Sequence, residues 1–171
     1  MLDTAILGPG RWAAQLVESV HGRSGKLHFV AAGSRDPDRH AEFGERFAIP
    51  VVPYDAILAD PAIHAVVIAT PHSQHLEHAV AAAEAGKHIL VEKPLATTRD
   101  DAQAIVAACR TAGVKLAHGF NRRFAPAYLE MLRRLQEGEI GELLHVEGQF
   151  SGPSGYRLKP GMWRADRSEC P

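Results

Sequence analysis

Apolar runs of strand length alternate with amphipathic helical stretches as far as about position 120, the pattern of a parallel sheet whose strands are joined by crossover helices. Residues 4–7 read as a first strand, and the helix that follows carries Trp12, Ala13, Leu16, Val17 and Val20 on one face. Residues 27–33 form a second strand. Asp36 and Pro37 then supply an N-cap and a first helical position for a helix bearing Ala41, Phe43 and Phe47. Val51 and Val52 make a short third strand, and residues 65–70 a fourth. An Ala-rich helix over 73–85 ends at Gly86 as a left-handed cap. Residues 89–91 are strand five. Thr98 caps a helix running to about Gly113, and residues 114–118 are strand six. Right-handed crossovers predict the order 3-2-1-4-5-6, with a ligand crevice over the carboxyl ends of strands one and four.

The fold class expected is thus α/β: a Rossmann doubly wound parallel sheet over 1–120, then the incomplete start of a second α/β unit over 121–171. Beyond Phe120 the pattern changes. Residues 125–136 are helical, 143–150 alternate like a strand of a more exposed sheet, and the last residues show no period. One helix and one strand cannot bury both their faces, so further chain or a partner is expected to complete that unit.

Composition narrows the function classes. A chain of 171 residues with this share of Ala, Val, Ile and Leu can bury roughly two-thirds of its unfolded surface. A net charge of −1, with acids and bases interspersed, gives no field to recruit nucleic acid or an anionic membrane. No stretch is apolar for long enough to span a bilayer. Cys109 and Cys170 alone make no disulfide framework, and Asp3 and a glycine turn stand where a secretory leader would be apolar. A reducing cytoplasm is the expected compartment.

The turn after strand one reads Gly8, Pro9, Gly10, Arg11, Trp12, Ala13, a G-x-G-x-x-A string between a strand and an amphipathic helix. Gly8 suits the tight turn, and Gly10 lets the main chain approach a pyrophosphate at the helix N-terminus. Ala13 suffices for close helix packing. An acid that grips the ribose hydroxyls of NAD is expected about twenty residues on. Ser34 and Arg35 stand there instead, with Arg39 one turn later. A hydroxyl and a planar cation suit a 2′-phosphate, so the expected cofactor is NADP, with NAD the other possibility. Surface pairing of Arg35 with Asp36 or Asp38 is the alternative to that expectation.

His72, His75 and His78 share one side of the helix after strand four. No Cys or carboxylate cluster lies near them in sequence, so no metal site is expected. His72 and His75 are expected to touch cofactor or substrate, and His78 to be structural or superficial. Glu92 and Lys93 end strand five before Pro94. An ammonium beside a nicotinamide can hydrogen-bond a substrate oxygen and stabilise alkoxide character, which makes Lys93 the candidate catalytic group and Glu92 its orienter or a ribose ligand. Arg122, Arg123, Arg133 and Arg134 read mostly as a solvated face.

These residues together resemble the glucose-fructose oxidoreductase, inositol dehydrogenase and MocA (Gfo/Idh/MocA) family. The likeness rests on GPGRWA at 8–13, ATPHSQH at 69–75, AGKHILVEKPLATT at 85–98, GFNRRFAPAY at 119–128 and GEIGELLHVEGQF at 138–150. It implies a Rossmann domain followed by an α/β domain with an open, largely antiparallel sheet, which binds substrate and often mediates homo-oligomerisation of the full-length chain. It also implies oxidation or reduction of sugars, cyclitols or similar small polar alcohols and carbonyls with NAD or NADP. By that likeness Lys93 is the lysine near the reacting centre, and Thr70, Pro71, His75 and Asn121 are cofactor-crevice positions. Trp163 and Arg164 resemble a pair near the nicotinamide. His72 stands where Asn is usual. The family's downstream Asp and His would lie after Pro171. A non-catalytic cofactor-sensing regulator of the same fold is the alternative. A methyltransferase with a similar turn would leave Ser34, Arg35, Glu92 and Lys93 without a task.

Overall fold

The computed structural model describes residues 1–149 and 151–169. Six strands form one parallel sheet in the order β3-β2-β1-β4-β5-β6, the order predicted. These are β1 (Leu2–Leu7), β2 (Leu27–Gly33), β3 (Val51–Val52), β4 (Ala65–Ile68), β5 (His88–Val91) and β6 (Leu116–His118). The strand pairs β1 with β2 and β1 with β4 run in parallel register, with an irregularity between Thr4 and Ala5 on the β2 side.

Alternation along β1 shows why both faces are covered. Ala5 and Leu7 join Val66, Ile68, Val91, Ala79, Ala82 and Ile105 in one core. Ile6 points the other way and packs with Ala13, Val17, Phe29, Phe43, Phe47 and Val67. Helices α1 (Arg11–Val20) and α2 (Ala41–Phe47) therefore cover one face, while α3 (Tyr54–Ala59), α4 (His75–Glu84) and α5 (Arg99–Thr111) cover the other. A sheet buried on both sides needs near-continuous apolar strands, and β4 is fully buried as Ala-Val-Val-Ile.

Several boundaries differ from the sequence reading for identifiable reasons. The segment from Asp36 opens as a 3-10 turn, Asp38–His40, before α2, and the Asp36 carboxylate accepts the Arg39 amide at 3.4 Å as the N-cap reading requires. Likewise α4 is preceded by a 3-10 turn, His72–Gln74, because Pro71 is held extended (φ −53°, ψ 148°). Gly86 does adopt the left-handed conformation that stops the helix, with φ +72°. The short helix α3 was not foreseen; only Ile57 of its six residues is buried, too little to impress a period on the sequence.

Helix α6 (Pro126–Gln136) forms, with proline in its first turn. The strand expected over 143–150 does not: residues 143–149 make no ladder, and Phe150 lies outside the described residues. Alternation alone cannot make a strand; its N–H and C=O groups need a paired neighbour, and the sheet ends at β6 with residues 143–149 unpaired. Cys170 also lies outside the described residues, while Cys109 is a buried free thiol. No helix among the described residues is long and apolar enough to cross a membrane.

Candidate cofactor crevice

Strand order reverses between β1 and β4, whose connections leave on opposite faces of the sheet, and a crevice of about 490 Å³ opens above their carboxyl ends. Its floor is the turn after β1. Gly8 takes φ +83°, its amide donates to the Gly33 carbonyl at 3.0 Å, and the Gly10 amide donates to the Gly8 carbonyl at 2.7 Å. A Cβ on Gly8 would stand 2.9 Å from Thr70 Cα, so this glycine is required for both angle and space. A Cβ on Gly10 would meet nothing nearer than the Gly8 carbonyl at 4.0 Å. Gly10 leaves open space toward the crevice.

Helix α1 begins at Arg11 with no side-chain cap and no acid in its first turn. Its first amides thus aim their partial positive charge at the crevice floor. Among the described residues the Trp12 indole N–H is a buried donor without an acceptor. A set of unanswered donors around a glycine turn fits a diphosphate-bearing dinucleotide, which brings acceptor oxygens and negative charge.

Gly8, Gly10, Arg11, Trp12, Ser34, Arg35, Arg39, Thr70, Pro71, Trp163 and Arg164 all line this crevice. At the β2 end Ser34 is buried. Its hydroxyl donates to the Asp36 carbonyl at 3.0 Å and accepts the Asp36 amide at 3.1 Å, which shapes the loop that carries Arg35. The Arg35 charge is felt by Tyr54 and His78 from across the crevice wall. Burial pushes the Tyr54 phenol up, partly opposed by that guanidinium.

Six wall residues were not among the predicted site residues: Pro9, Asp36, His40, Tyr54, Ala69 and Gln74. Gln74 sits between two histidines already singled out, so its place in the first turn was a usable signal. Tyr54 at the start of α3 and His40 at the end of the 3-10 turn carried none, because it is the placement of those short elements that brings them to the rim.

The remaining predicted residues stand beneath or beside the crevice and not on its lining. His75 is fully buried, with Nδ1 2.8 Å from the Pro94 carbonyl and Nε2 3.1 Å from the Thr70 carbonyl. Both ring nitrogens thus face main-chain carbonyls. His78 is structural: its Nδ1 lies 3.1 Å from Thr70 Oγ1 and its ring packs on Tyr54. Burial pushes the His78, His72 and His118 imidazoles below their ordinary value. Among the described residues no group of three His, Cys, Asp or Glu could hold a metal ion.

Glu92 is buried under Gly119, and its carboxylate accepts the Lys93 amide at 3.2 Å. Lys93 is exposed, and its charge reaches His72. His72 in turn packs edge-on against Trp163, so the lysine lies toward the Trp163 end of the crevice. Asn121 is exposed in a 3-10 turn after β6.

One tie had no sequence signal. Ser73 donates to the Glu169 carboxylate through its amide at 2.9 Å and its hydroxyl at 2.6 Å, and His72 Nδ1 meets the Glu169 carbonyl. Burial works to raise the Glu169 carboxyl, and the bonds from Ser73 outweigh it and hold the group low. This tie brings Trp163 and Arg164, whose guanidinium stacks over the indole at 4.8 Å, to the crevice wall.

A family profile described as "Oxidoreductase family, NAD-binding Rossmann fold" (GFO_IDH_MocA) matches residues 2–120. The chain belongs to this family. It is 38% identical over 151 residues to the scyllo-inositol 2-dehydrogenase (NAD(+)) of Bacillus subtilis, covering 84% of this chain and 43% of that one. A crystal structure from Desulfitobacterium hafniense, described as a candidate NADPH-dependent oxidoreductase, superimposes with a TM-score of 0.91 at 34% identity, over 99% of this chain and 49% of that one. The 3-ketoreductase of Actinomadura kijaniata, solved with TDP-benzene and NADP, matches with a TM-score of 0.71 at 32% identity over 82% and 45%. This family member thus spans less than half the length of each of these relatives. Its fold and family support an NAD(P) cofactor, without deciding between the two forms.

Proposed function

We propose that the chain is the cofactor-binding part of an NADP-preferring oxidoreductase that interconverts a secondary alcohol and a carbonyl on a sugar, cyclitol or similar small polar substrate. The observation that carries this reading is the β2 end of the crevice, where Arg35 and Arg39 flank a buried serine. The acid there, Asp36, has its carboxylate turned to the Arg39 amide. Two guanidiniums favour a 2′-phosphate over a bare ribose diol, since each offers a planar donor fork and a permanent charge.

When bound, the nicotinamide ring supplies hydride acceptance or donation. The chain's own residues do the rest. Gly8, Gly10 and the first turn of α1 hold the diphosphate. Trp163 and Arg164 wall the far end of the crevice. Lys93 donates a hydrogen bond to the reacting substrate oxygen and stabilises negative charge as it develops there. The buried Glu92 fixes the lysine's main chain through its amide. The likeness to relatives named for polyol and ketosugar substrates supports the substrate class.

Fluorescence titration of the chain with NADPH and NADH tests the cofactor reading. NADPH is expected to bind at least about tenfold tighter, the equivalent of about 1.4 kcal/mol. Equal affinity refutes the preference, and no uptake of either refutes the function. In the full-length enzyme, with a panel of sugar and cyclitol ketones, Lys93→Ala is expected to lower NADPH consumption with cofactor affinity kept; unaltered consumption removes the lysine from the chemistry.

A further inference from the structure

We infer that His75 is a positioning residue that sets Lys93 at a fixed distance from the glycine turn, an inference that rests on the reading of Lys93 as the group that meets substrate. The imidazole is fully buried yet lies between two carbonyls, Thr70 at 3.1 Å and Pro94 at 2.8 Å. Those carbonyls belong to different parts of the site. Thr70 follows β4 and packs against Gly8, where a Cβ would come within 2.9 Å of it. Pro94 is joined directly to Lys93. A continuous line of contacts therefore runs from the turn that cradles diphosphate, through Thr70 and the His75 ring, to the lysine.

Packing alone does not explain a histidine here. An apolar side chain of similar volume would fill this fully buried position without bringing two polar nitrogens into a dry site. Carbonyls only accept, so each contact needs hydrogen on the facing nitrogen; the doubly protonated ring makes both bonds and either neutral tautomer makes one. Thr70 is held from its side chain as well, by His78 at 3.1 Å, so one end of the line is anchored independently of His75. The Pro94 end depends on the ring. Lys93 is exposed, and its own main chain is steadied by Glu92. Loss of the ring frees the loop that carries the ammonium while leaving the crevice lining in place.

The test compares the unmutated chain with His75→Gln, which keeps one donor, and His75→Leu, which keeps volume and no donor. The probe is NADP oxidised to a dialdehyde at its nicotinamide ribose. A nearby lysine amine condenses with an aldehyde to an imine, releasing water, and borohydride reduces the imine to a stable secondary amine that peptide mapping locates. Labelling of Lys93 is expected to fall about tenfold or more in His75→Leu and by less in His75→Gln, with NADPH affinity within about threefold, as sub-ångström misplacement of a reacting group predicts. A purely space-filling role predicts the reverse order, with leucine at least as good as glutamine, and that result overturns the inference, as does equal labelling in all three. If His75→Leu does not fold, the unmutated chain against His75→Gln decides. Amide exchange at Lys93 and Leu95 without cofactor separates the two readings. Faster exchange in the variants with α4 still protected supports the clamp even if NADPH is never taken up, and unchanged exchange overturns it whatever the cofactor does.

Discussion

The two glycines of the first turn have different tasks in the motif and different surroundings in the structure, which yields a prediction with opposite readouts for the same substitution. Gly8→Ala places a methyl group on a residue with φ +83° and 2.9 Å from Thr70 Cα and Cγ2. The left-handed conformation costs an L-residue about 1–2 kcal/mol. Forcing a methyl against a backbone atom adds about 1–3 kcal/mol. A loss of about 3 kcal/mol corresponds to a melting temperature lower by roughly 6–12 °C for a chain of this size. Gly10→Ala is different. Gly10 has φ −97° and ψ −172°, which any residue adopts, and its Cβ meets nothing within van der Waals range. Alanine is a poorer N-cap than glycine by about 1 kcal/mol. It also narrows the unfolded ensemble by about 0.4–1 kcal/mol. These nearly cancel, so Tm should move little. Its methyl group, however, occupies the space through which a diphosphate reaches the α1 amides, and NADPH affinity should fall at least about tenfold, or 1.4 kcal/mol. Differential scanning fluorimetry and NADPH fluorescence titration on both variants read the two effects. A Gly10→Ala chain that binds NADPH as the unmutated chain does would show that the main chain does not approach the cofactor there.

Arg35→Ala should weaken NADPH by about 1.5–3 kcal/mol, the range for a hydrogen bond to a charged group, and leave NADH within about twofold; equal losses for both in paired titrations would place Arg35 on a part common to the two cofactors. Thr98→Ala removes the hydroxyl that accepts the Asp101 amide at 3.1 Å at the start of α5 and should cost about 1 kcal/mol in urea unfolding with NADPH binding kept. His72, His78 and His118 are each held below the ordinary value of 6.5, chiefly by burial. The unfolded chain then binds more protons than the folded one, so their contribution is complete above 6.5 and is lost as pH falls toward the folded values. Melting temperatures should therefore drop between pH 7.5 and 5.5, and His78→Asn should flatten that slope; a slope unchanged by the substitution would remove His78 from the account.

The Rossmann part was legible because two independent signals agree along it. The central strands are apolar runs, as a sheet covered on both faces demands, and each long helix carries its buried positions at helical spacing, such as Ala13 and Val17 in α1 or Ile105 and Cys109 in α5. The crevice lining was legible where chemistry is tied to backbone position, at Gly8, Gly10, Ser34 and Arg35. It was less so where a side chain works through main chain. Nothing in the order of His72, His75 and His78 says that one packs on Trp163, one bridges two carbonyls and one supports Thr70. Those roles are assigned by what each ring meets: Trp163 and the Glu169 carbonyl for His72, the Pro94 and Thr70 carbonyls for His75, and Thr70 Oγ1 for His78.

Beyond residue 120 the same periodicity reports something different. Helix α6 is amphipathic in sequence and forms, yet none of its residues is buried, and Leu129 and Met131 stand exposed, as do Leu143, Leu144 and Val146. What holds its solvent side is local: Arg133 and Arg134 are ringed by Glu130, Glu137 and Glu139, pairs that contribute only tenths of a kcal/mol each at such exposure. The contact that returns this part of the chain to the site is polar and specific, the Glu169 carboxylate on the Ser73 amide and hydroxyl. A hydrophobic period thus states which face seeks cover, and the topology decides whether the described chain supplies it. In residues 2–120 every strand finds its neighbours and the crevice is set. In residues 143–149 the alternating face pairs with no strand, and the position of Trp163 over the crevice rests on Glu169 against Ser73 and His72 and on its own contact with the His72 ring instead of on a sheet.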